Sequence, residues 1–348
     1  MTNSESTRSG IASDEATSKV NRRSNSSSAL LRALCVSAFA LFLAPSPAAA
    51  QSFPSKPIRI LVGAPPGGTT DTVARAVAAE MSKTLGQPVV VENRSGAGGN
   101  VAADLVAKSA PDGHTLLVSF TSHTINATLY PKLPFDPVAD FTPITMLTTS
   151  PSLLIGHPSL PANDLRELIA LLKKNPGKYN FGIGAIGSSL HLAGEKFKMD
   201  TGTYVVNIPY RGSAPALQDL LAGQVELMFV SPAVGGAQLK AGKVKAFGVT
   251  SPKRLAQFPE VPAIGEVVRG FESNAWFGLF GPAKLPADVT RKLYEAARAA
   301  LASPEVRKRF ELEALEPVGN PPEDFARFVR EDIQRWAKVV KYSGAKPE

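Results

Sequence analysis

The sequence predicts an α/β fold built on two largely parallel sheets. Short apolar segments typical of β-strands alternate with helical segments along most of the chain, and such alternation is typical of parallel sheets flanked by helices. The alternation occurs in two separate series, and glycine-rich turns follow several strands. With 348 residues, the chain is long enough for two domains of ordinary size.

The first series covers residues 58–119. Its first helix is rich in alanine and ends at Gly86, a residue suited to the left-handed conformation that closes a helix. A glycine-rich turn at 96–99 precedes the second helix, and we interpret it as a tight structural turn because it lacks the Lys-Ser/Thr ending of a phosphate loop. The predicted elements are a strand at 58–62, a helix at 70–85, a strand at 89–91, a helix at 100–108 and a strand at 115–119.

The second series predicts another sheet, and the C-terminal part is helical. Three C-terminal helix starts, at 285–288, 303–305 and 320–323, each combine a cap, an early proline and an acidic first turn. The elements of the second series are helices at 164–174, 189–199, 215–222 and 235–241, and strands at 179–183, 204–208, 225–230 and 246–250.

The first fifty residues have the composition of a secretory signal peptide. A basic, Ser/Asn-rich leader precedes an apolar stretch at 33–43, and small residues at 48–50 form a cleavage site, so we expect removal near Ala50 and a periplasmic location. The pair Arg22-Arg23 suggests a twin-arginine signal, but the residues after it do not fit that motif, and general secretion is favoured. The basic residues of the leader are Arg8, Lys19, Arg22, Arg23 and Arg32.

Composition excludes several classes of function. The only cysteine, Cys35, lies in the leader, where its neighbours do not fit a lipoprotein signal, so we expect no disulfide or thiolate chemistry. The formal net charge is +8, but the charges are scattered and form no basic stripe interleaved with aromatic residues, which argues against nucleic acid. No apolar run after the leader approaches the length of a membrane span.

The loop at 63–71 is the most informative feature for function. It follows the first strand and opens the first helix, and its paired glycines, Gly67 and Gly68, let the main chain approach another molecule closely. Thr69 or Thr70 can cap the helix, and the free N–H groups of a helix start favour an anion. The alternative is that Asp71, in the first turn, satisfies those same donors itself.

Two later helix starts have the same character. In residues 182–189, three glycines match the spacing of a dinucleotide-binding loop, and Ser188 or Ser189 can cap the next helix. The acidic residue that such a site needs about 20 positions later is missing, which argues against a nucleotide cofactor. At 210–215, Ser213 can cap a helix, and Arg211 either pairs with a carboxylate or serves as a surface ion-pair partner.

The sequence shows no recognisable set of catalytic residues. The histidines show no metal-ligand spacing, no Gly-x-Ser-x-Gly elbow is present, and we predict neither a metal site nor an enzyme. His191 lies two residues beyond Ser189, so a hydrolytic pair is conceivable, but residues two apart on a helix point to different faces. The four histidines are His114, His123, His157 and His191.

Several segments together resemble the Bug-type receptors of tripartite tricarboxylate transporters. The resemblance implies an extracytoplasmic solute-binding protein with the two-domain, type II-like periplasmic-binding-protein fold, in which two mostly parallel sheets flanked by helices enclose a cleft. This sequence departs from the family at Gly63-Ala64, where Pro-Phe is common, and at Arg94-Ser95, where proline commonly follows the arginine. The segments that carry the resemblance are 53–58, 65–71, 85–93, 96–100, 110–113, 209–212 and 220–225.

The family layout implies a first domain of residues 53–153 and 274–348 and a second of residues 154–273. Two chain crossings form a hinge, so that closure brings the helix starts together around a small organic acid. The expected partners are this solute and, transiently, permease subunits, with the receptor a monomer; a sensor role is the alternative, and a secreted hydrolase a weaker one. The expected ligand-binding residues are Ala64, Pro65, Gly67, Gly68, Thr69, Thr70, Asp71, Thr121, Ser122, Ser188, Ser189, Arg211, Gly212, Ser213, Ala214 and Ser231.

Overall fold

Two β-sheets form the framework of the computed structural model, which describes residues 53–347. These residues form one compact unit. The predicted signal peptide, with its cleavage site near Ala50 and Cys35, lies outside the described residues. We call the residues that pack around the first sheet the first lobe and those around the second sheet the second lobe.

The first sheet has six strands, which are β1 (Ile58–Val62), β2 (Val89–Asn93), β3 (Thr115–Phe120), β4 (Phe141–Ser150), β10 (Ala275–Pro282) and β11 (Glu316–Pro317). Their spatial order is β11-β4-β10-β3-β1-β2. Strand β1 pairs in parallel with β2 and β3, whereas β10 runs antiparallel to β3 and β4, and β11 antiparallel to β4.

The second sheet has five strands, which are β5 (Leu153–Gly156), β6 (Asn180–Ile183), β7 (Val206–Pro209), β8 (Leu227–Val230) and β9 (Lys245–Val249). Their spatial order is β7-β6-β8-β5-β9. Strand β6 pairs in parallel with β7 and β8, and β5 runs antiparallel to β8 and β9.

The predicted α/β fold is confirmed, but the sheets are mixed rather than mostly parallel. Each antiparallel pair involves β4, β5 or β10. The chain leaves the first sheet after β4, enters the second sheet at β5 and returns to the first sheet at β10. β4 and β5 lie between the two predicted series, and β10 follows the second series. Sequence analysis missed all three strands. β4 is rich in threonine and contains Pro143, so it does not show the apolar pattern of the other strands.

Helices cover the sheets, and most of their predicted bounds are correct within about two residues. Ser303 caps its helix by accepting a hydrogen bond from the Val306 N–H, as expected. The other two predicted C-terminal caps are wrong, because prolines occupy the cap positions and Asn320 Oδ1 instead accepts from the Met146 N–H. The helices are α1 (Thr69–Leu85), α2 (Asn100–Ala107), α3 (Ser122–Leu129), α4 (Leu165–Lys174), α5 (Ser189–Thr201), α6 (Ser213–Leu221), α7 (Pro232–Lys240), α8 (Ala287–Ala302), α9 (Pro304–Leu312) and α10 (Pro322–Ser343).

Each sheet has a core on both faces, since successive strand residues point to opposite sides. In β1, Ile58, Ile60 and Val62 pack against α1 and α8, whereas Leu61 packs on the other face with α2 and α10. In the second sheet, Leu154 faces α4 and α5, and its neighbour Leu153 faces α6. Both sheets are therefore rigid platforms for the loops at their edges.

A smaller apolar cluster joins the two lobes. It combines Ile125 and Leu129 of α3 in the first lobe, Leu192 of α5 in the second, and Trp336 and Val339 of α10. α10 therefore packs on its own sheet through its first half and on the second lobe through its second half.

The chain passes between the sheets in two strands that pair with each other. Ala275, at the start of β10, is the antiparallel partner of Ser150, at the end of β4. The hydroxyl of Thr250, fully buried, accepts from the Ser152 N–H at 2.8 Å and donates to Asn274 Oδ1 at 3.0 Å. The division into two domains at 153/154 and 273/274, and the movement of these domains about the two crossings, stay predictions.

Candidate functional site

The loops of interest follow strands that lie side by side. Parallel strands end at the same edge of a sheet, so the loops after β1, β2 and β3 share one edge of the first sheet. The loops after β6, β7 and β8 share one edge of the second sheet in the same way. Each lobe thus presents three chain turns at one edge, and most of the predicted site residues belong to these turns.

The loop after β1 opens helix α1 as predicted, but no threonine caps it. Gly68 is the N-cap and no side chain caps the helix, so N–H groups of the first turn remain available. Gly67 has φ of +82°, which favours glycine. Its N–H donates to Asp71 Oδ2 at 3.0 Å, so Asp71 satisfies one loop donor itself, which was the alternative reading of this loop.

Asp71 connects three parts of the first lobe. Its carboxylate accepts from the Arg75 guanidinium at 3.0 Å and from Asn93 Nδ2 at 2.9 Å, in addition to Gly67. Burial alone would raise the pKa of Asp71, but these hydrogen bonds outweigh it and hold the pKa below its ordinary value of 3.8. Asp71 therefore holds the loop as an ionised structural anchor.

The loop after β2 packs directly against the loop after β1. A Cβ on Gly63 would lie 2.6 Å from Gly99 Cα, so only glycine permits this approach. Gly98 has φ of +63°, and its carbonyl accepts from Asn126 Nδ2 of α3 at 3.1 Å. The turn at 96–99 is structural, as interpreted, and it also brings main chain to the edge of the first lobe.

The turn after β3 contains Thr121 and Ser122, two predicted ligand-binding residues whose environments differ. Thr121 is 2% exposed, and its hydroxyl accepts from the Trp276 N–H at 2.9 Å, which ties the start of α3 to strand β10. Ser122 is partly exposed and faces the space between the lobes. Of the two, Ser122 is the residue placed to meet a solute.

In the second lobe, the turns after β6 and β7 pack on each other. The Gly212 N–H donates to the Gly184 carbonyl at 2.8 Å, and a Cβ on Gly184 would lie 2.8 Å from the Ser213 nitrogen. Ser188 caps α5 as predicted, since its hydroxyl accepts from the His191 N–H at 3.2 Å. These glycines bring the starts of α5 and α6 side by side.

His191 is held inside the second lobe. Its Nδ1 accepts from the Gly187 N–H at 3.0 Å, and its Nε2 lies 3.5 Å from Glu195 Oε1. The Ser188 hydroxyl donates to the Ala185 carbonyl and makes no hydrogen bond to the His191 ring in the described structure. The ring thus fixes the loop that carries Gly187, and no serine-histidine pair of a hydrolase is formed among these residues.

Glu195 is the centre of a buried polar network. It is 3% exposed, and its Oε1 lies 2.6 Å from Lys198 Nζ and 2.6 Å from Asn207 Nδ2. Burial alone would raise the pKa of Glu195, but the hydrogen bonds from His191, Lys198 and Asn207 outweigh burial and lower the pKa to about 2. The carboxylate is therefore ionised at neutral pH and stabilises the helix behind the 185–188 loop.

Arg211 and Ser231 have free polar groups. Arg211 is exposed and makes no ion pair or hydrogen bond with any residue in 53–347. Ser231 is the N-cap of α7, but its hydroxyl caps no backbone N–H within the described chain. Both side chains are therefore available to a ligand at the edge of the second lobe.

A cavity of about 340 Å³ lies between the two lobes. The lobes touch at its floor, because a Cβ on Gly187 would lie 2.8 Å from Leu129 Cδ2 of the first lobe. None of its lining side chains is charged. The lining residues are Ala97, Gly98, Ser122, Asn126, Leu129, Tyr130, Ala185, Ile186, Gly187, Ser188 and Pro347.

The structure brings some of the predicted residues into this cavity and leaves others beside it. Ser122 and Ser188 line it. The other predicted residues lie in turns or helix starts after strands of the two sheets, and direct contact with a solute stays a prediction for them. They are Ala64, Pro65, those at 67–71, Thr121, Ser189, those at 211–214 and Ser231. Sequence analysis missed Ala97, Gly98 and Asn126, although a glycine-rich turn after the strand next to β1 was a signal for the first two.

A larger concavity, about 680 Å³, lies elsewhere, on the outer face of the second lobe. It is an open groove whose lining includes four long basic side chains and Asp200, whereas small-molecule sites are enclosed and carry few polar groups. The interlobe cavity fits that description better. In residues 53–347 the structure shows no cluster of three His, Cys, Asp or Glu that could hold a metal ion. None of the helices in this range has the length and hydropathy of a transmembrane segment.

Two α/β lobes that enclose a cavity at their strand ends define the class of this molecule, the periplasmic-binding-protein fold. A family model described as "Tripartite tricarboxylate transporter family receptor" matches residues 73–345. The chain belongs to this family of periplasmic solute-binding receptors, which confirms the Bug-type resemblance of the sequence.

Three similar proteins illustrate the relationship. The protein BugT from Bordetella pertussis is 37% identical over 304 residues, which cover 86% of this chain and 93% of BugT. The solved structure of Rpa4515 from R. palustris with adipate is 35% identical, with a TM-score of 0.71, and covers 85% of this chain and 100% of that one. MatC from Rhodopseudomonas palustris with bound malate is 37% identical, with a TM-score of 0.68, over 83% of this chain and 100% of that one.

Proposed function

We propose that this protein captures a small carboxylated metabolite between its lobes in the periplasm and delivers it to the membrane subunits of a tripartite transporter. The observation that carries the proposal is the uncharged cavity of about 340 Å³ between the two sheet edges. Its volume lies in the range of small-molecule sites. Adipate and malate, present in the solved structures of two similar proteins, are both small dicarboxylates.

Binding without a cation in the wall requires backbone dipoles. No side chain caps the start of α1 or of α6. At the start of α5, the Ser188 hydroxyl accepts a hydrogen bond from the His191 N–H and leaves the two preceding N–H groups without a side-chain cap. A helix start contributes about 0.3–1 kcal/mol to an exposed anion and up to about 2 kcal/mol when partly buried. Micromolar affinity needs about 8 kcal/mol, so donors from both lobes, with bridging waters, must act together.

Closure explains how the two lobes share one ligand. The lobes are connected by two paired strands, and such a connection allows rotation as rigid bodies. A solute that touches both edges stabilises the closed form by its differential contacts. Delivery then depends on a permease that recognises the closed receptor.

A thermal-shift screen tests the proposal. The secreted protein is heated with mono-, di- and tricarboxylates, including malate and adipate, and with matched amides that lack the charge. A ligand specific for the folded state at 100 times its Kd adds about 2.7 kcal/mol of stability. We expect at least one carboxylate, but not its amide, to raise the Tm; a screen in which no carboxylate raises it would contradict the proposed function.

A further inference from the structure

A basic groove on the outside of the molecule runs across both lobes, and we propose that it docks an acidic segment of a protein partner. Two concavities, of about 680 and 620 Å³, share Lys196 and Asp200 of α5 and form one continuous surface. We call this surface the basic seam. Its cations are Arg166, Lys173, Lys196, Arg269, Arg330, Arg335 and Lys338.

The charge of the basic seam is not balanced by its own residues. Asp200 is occupied by Lys196, whose Nζ lies 2.5 Å from its carboxylate, and the remaining acid of the lining is Glu331. Five exposed cations of the seam form no ion pair with any residue in 53–347, and they are therefore free to receive carboxylates from outside. These five are Arg166, Lys173, Arg269, Arg330 and Lys338.

The spacing of these cations suits an elongated partner. Arg330 and Lys338 stand eight residues apart on α10, so they lie on one face of that helix with Gln334 between them. Arg166 and Lys173 are seven apart on α4 and likewise share a face. The two cationic rows flank a trough in which Lys196 is recessed, being 8% exposed.

The shape favours a protein segment over a lipid surface. A membrane-binding face presents apolar or aromatic side chains beside its cations so that they insert among the lipids. The exposed large apolar residues of the described chain all lie outside the basic seam. A recessed trough admits an extended or helical peptide with Asp and Glu side chains.

The shape of the basic seam depends on how the two lobes are arranged, because residues of both lobes line it. α4 and α5 belong to the second lobe, whereas α10 packs on the first sheet. Leu192 and Met199 of α5 belong to the same apolar cluster as Trp336 and Val339 of α10. The width of the trough therefore depends on the arrangement of the two lobes. The role of the seam thus rests on the proposed function, in which a permease must distinguish receptors that hold solute.

Reciprocity follows from thermodynamic linkage. Suppose that an acidic partner binds only when the lobes are arranged as here, and that solute favours this arrangement. Bound solute then increases the affinity for the partner, and bound partner increases the affinity for solute by the same factor. This coupling gives the seam a readout that a merely charged surface lacks.

The test measures anisotropy of a fluorescent oligoglutamate peptide with the chain expressed with its own leader. A fourfold variant of the basic seam (Lys173→Gln, Arg269→Gln, Arg330→Gln, Lys338→Gln) is compared with a matched variant of equal charge (Lys132→Gln, Lys243→Gln, Lys253→Gln, Lys308→Gln). Residues of the matched set are exposed, lie outside both concavities and have no ion pair in the described structure. We expect at least about tenfold weaker peptide binding only for the seam variant.

Further arms separate the outcomes. Equal binding by both variants, or binding of phosphatidylglycerol vesicles without binding of the peptide, would overturn the proposal. Thermal shifts with malate and adipate are recorded in parallel, and the seam variant should keep any solute response of the wild type. Loss of peptide binding in a protein that responds to no carboxylate would leave the docking surface standing and refute the solute-binding function instead.

Discussion

Replacing Glu195 with glutamine should change how the stability of the second lobe depends on pH. The carboxylate has a pKa of about 2 in the folded protein against an ordinary value of 4.5. A lowered pKa stabilises the fold above the unfolded value, and that stabilisation is lost as the pH falls from about 4.5 towards 2. At 1.36 kcal/mol per pH unit, the full contribution is about 3 kcal/mol.

More than half of the stabilisation by the Glu195 carboxylate is lost in a pH range in which unfolding can be measured. With these two pKa values, the wild-type stabilisation falls by about 2 kcal/mol between about pH 5 and pH 3. Glu195→Gln keeps the volume but leaves Lys198, only 6% exposed, without its counterion, so the variant should be less stable by about 3–5 kcal/mol at neutral pH. The difference between the two proteins should therefore narrow as the pH falls.

Urea unfolding at a series of pH values measures this effect. The free energies of unfolding of the wild type and Glu195→Gln are compared with those of Glu272→Gln, a change at an exposed carboxylate of the same lobe that forms no ion pair in the described chain. The control should follow the wild type within about 0.5 kcal/mol at each pH. A constant difference between the wild type and Glu195→Gln from pH 5 to 3 would refute the reasoning.

Three further substitutions address the cleft and the crossing strands. Gly68→Val should weaken carboxylate binding at least about tenfold, because the side chain blocks close approach of the solute to the loop. The protein should still fold, since a Cβ at this position meets only the Pro65 carbonyl, at 3.7 Å. Unchanged calorimetric affinity would count against the loop, and Gly68→Ala provides the graded control. Arg211→Ala should change affinity less than about threefold if neutral dipoles hold the carboxylate, whereas a loss above tenfold would indicate an ion pair with the solute. Thr250→Val should lower the free energy of unfolding by about 1–3 kcal/mol, since it leaves the buried Ser152 N–H without its acceptor, and Thr250→Ser should restore it.

Local signals predicted most helices and the parallel strands, because their apolar spacing, caps and glycine stops are written in short segments. The crossing strands were not predictable in this way. β4 owes its position to β10, more than a hundred residues later in the chain, and its threonine hydroxyls bond to distant carbonyls such as that of Asn320. Long-range pairing of this kind leaves no local pattern in the sequence.

In the candidate site, too, features set by local sequence were predictable and features set by long-range contacts were not. The glycines at 67 and 68 and the Ser188 cap were legible because turn and cap chemistry is local. The contributions of Asn126 and Tyr130 to the cavity were not, since α3 reaches the cavity only because β3 ends beside the second lobe. The role of Asp71 was left open by the sequence, and the structure decides that it bonds the Gly67 N–H through its own carboxylate.

A crystal structure of the protein with the carboxylate that raises its Tm most would test the central claim most directly. We predict that the carboxylate lies between the lobes, beside Ser122 and Ser188, and accepts hydrogen bonds from backbone N–H groups at the starts of α1 and α5. Density for the ligand in the outer groove of the second lobe, or a carboxylate held only by charged side chains, would contradict the account.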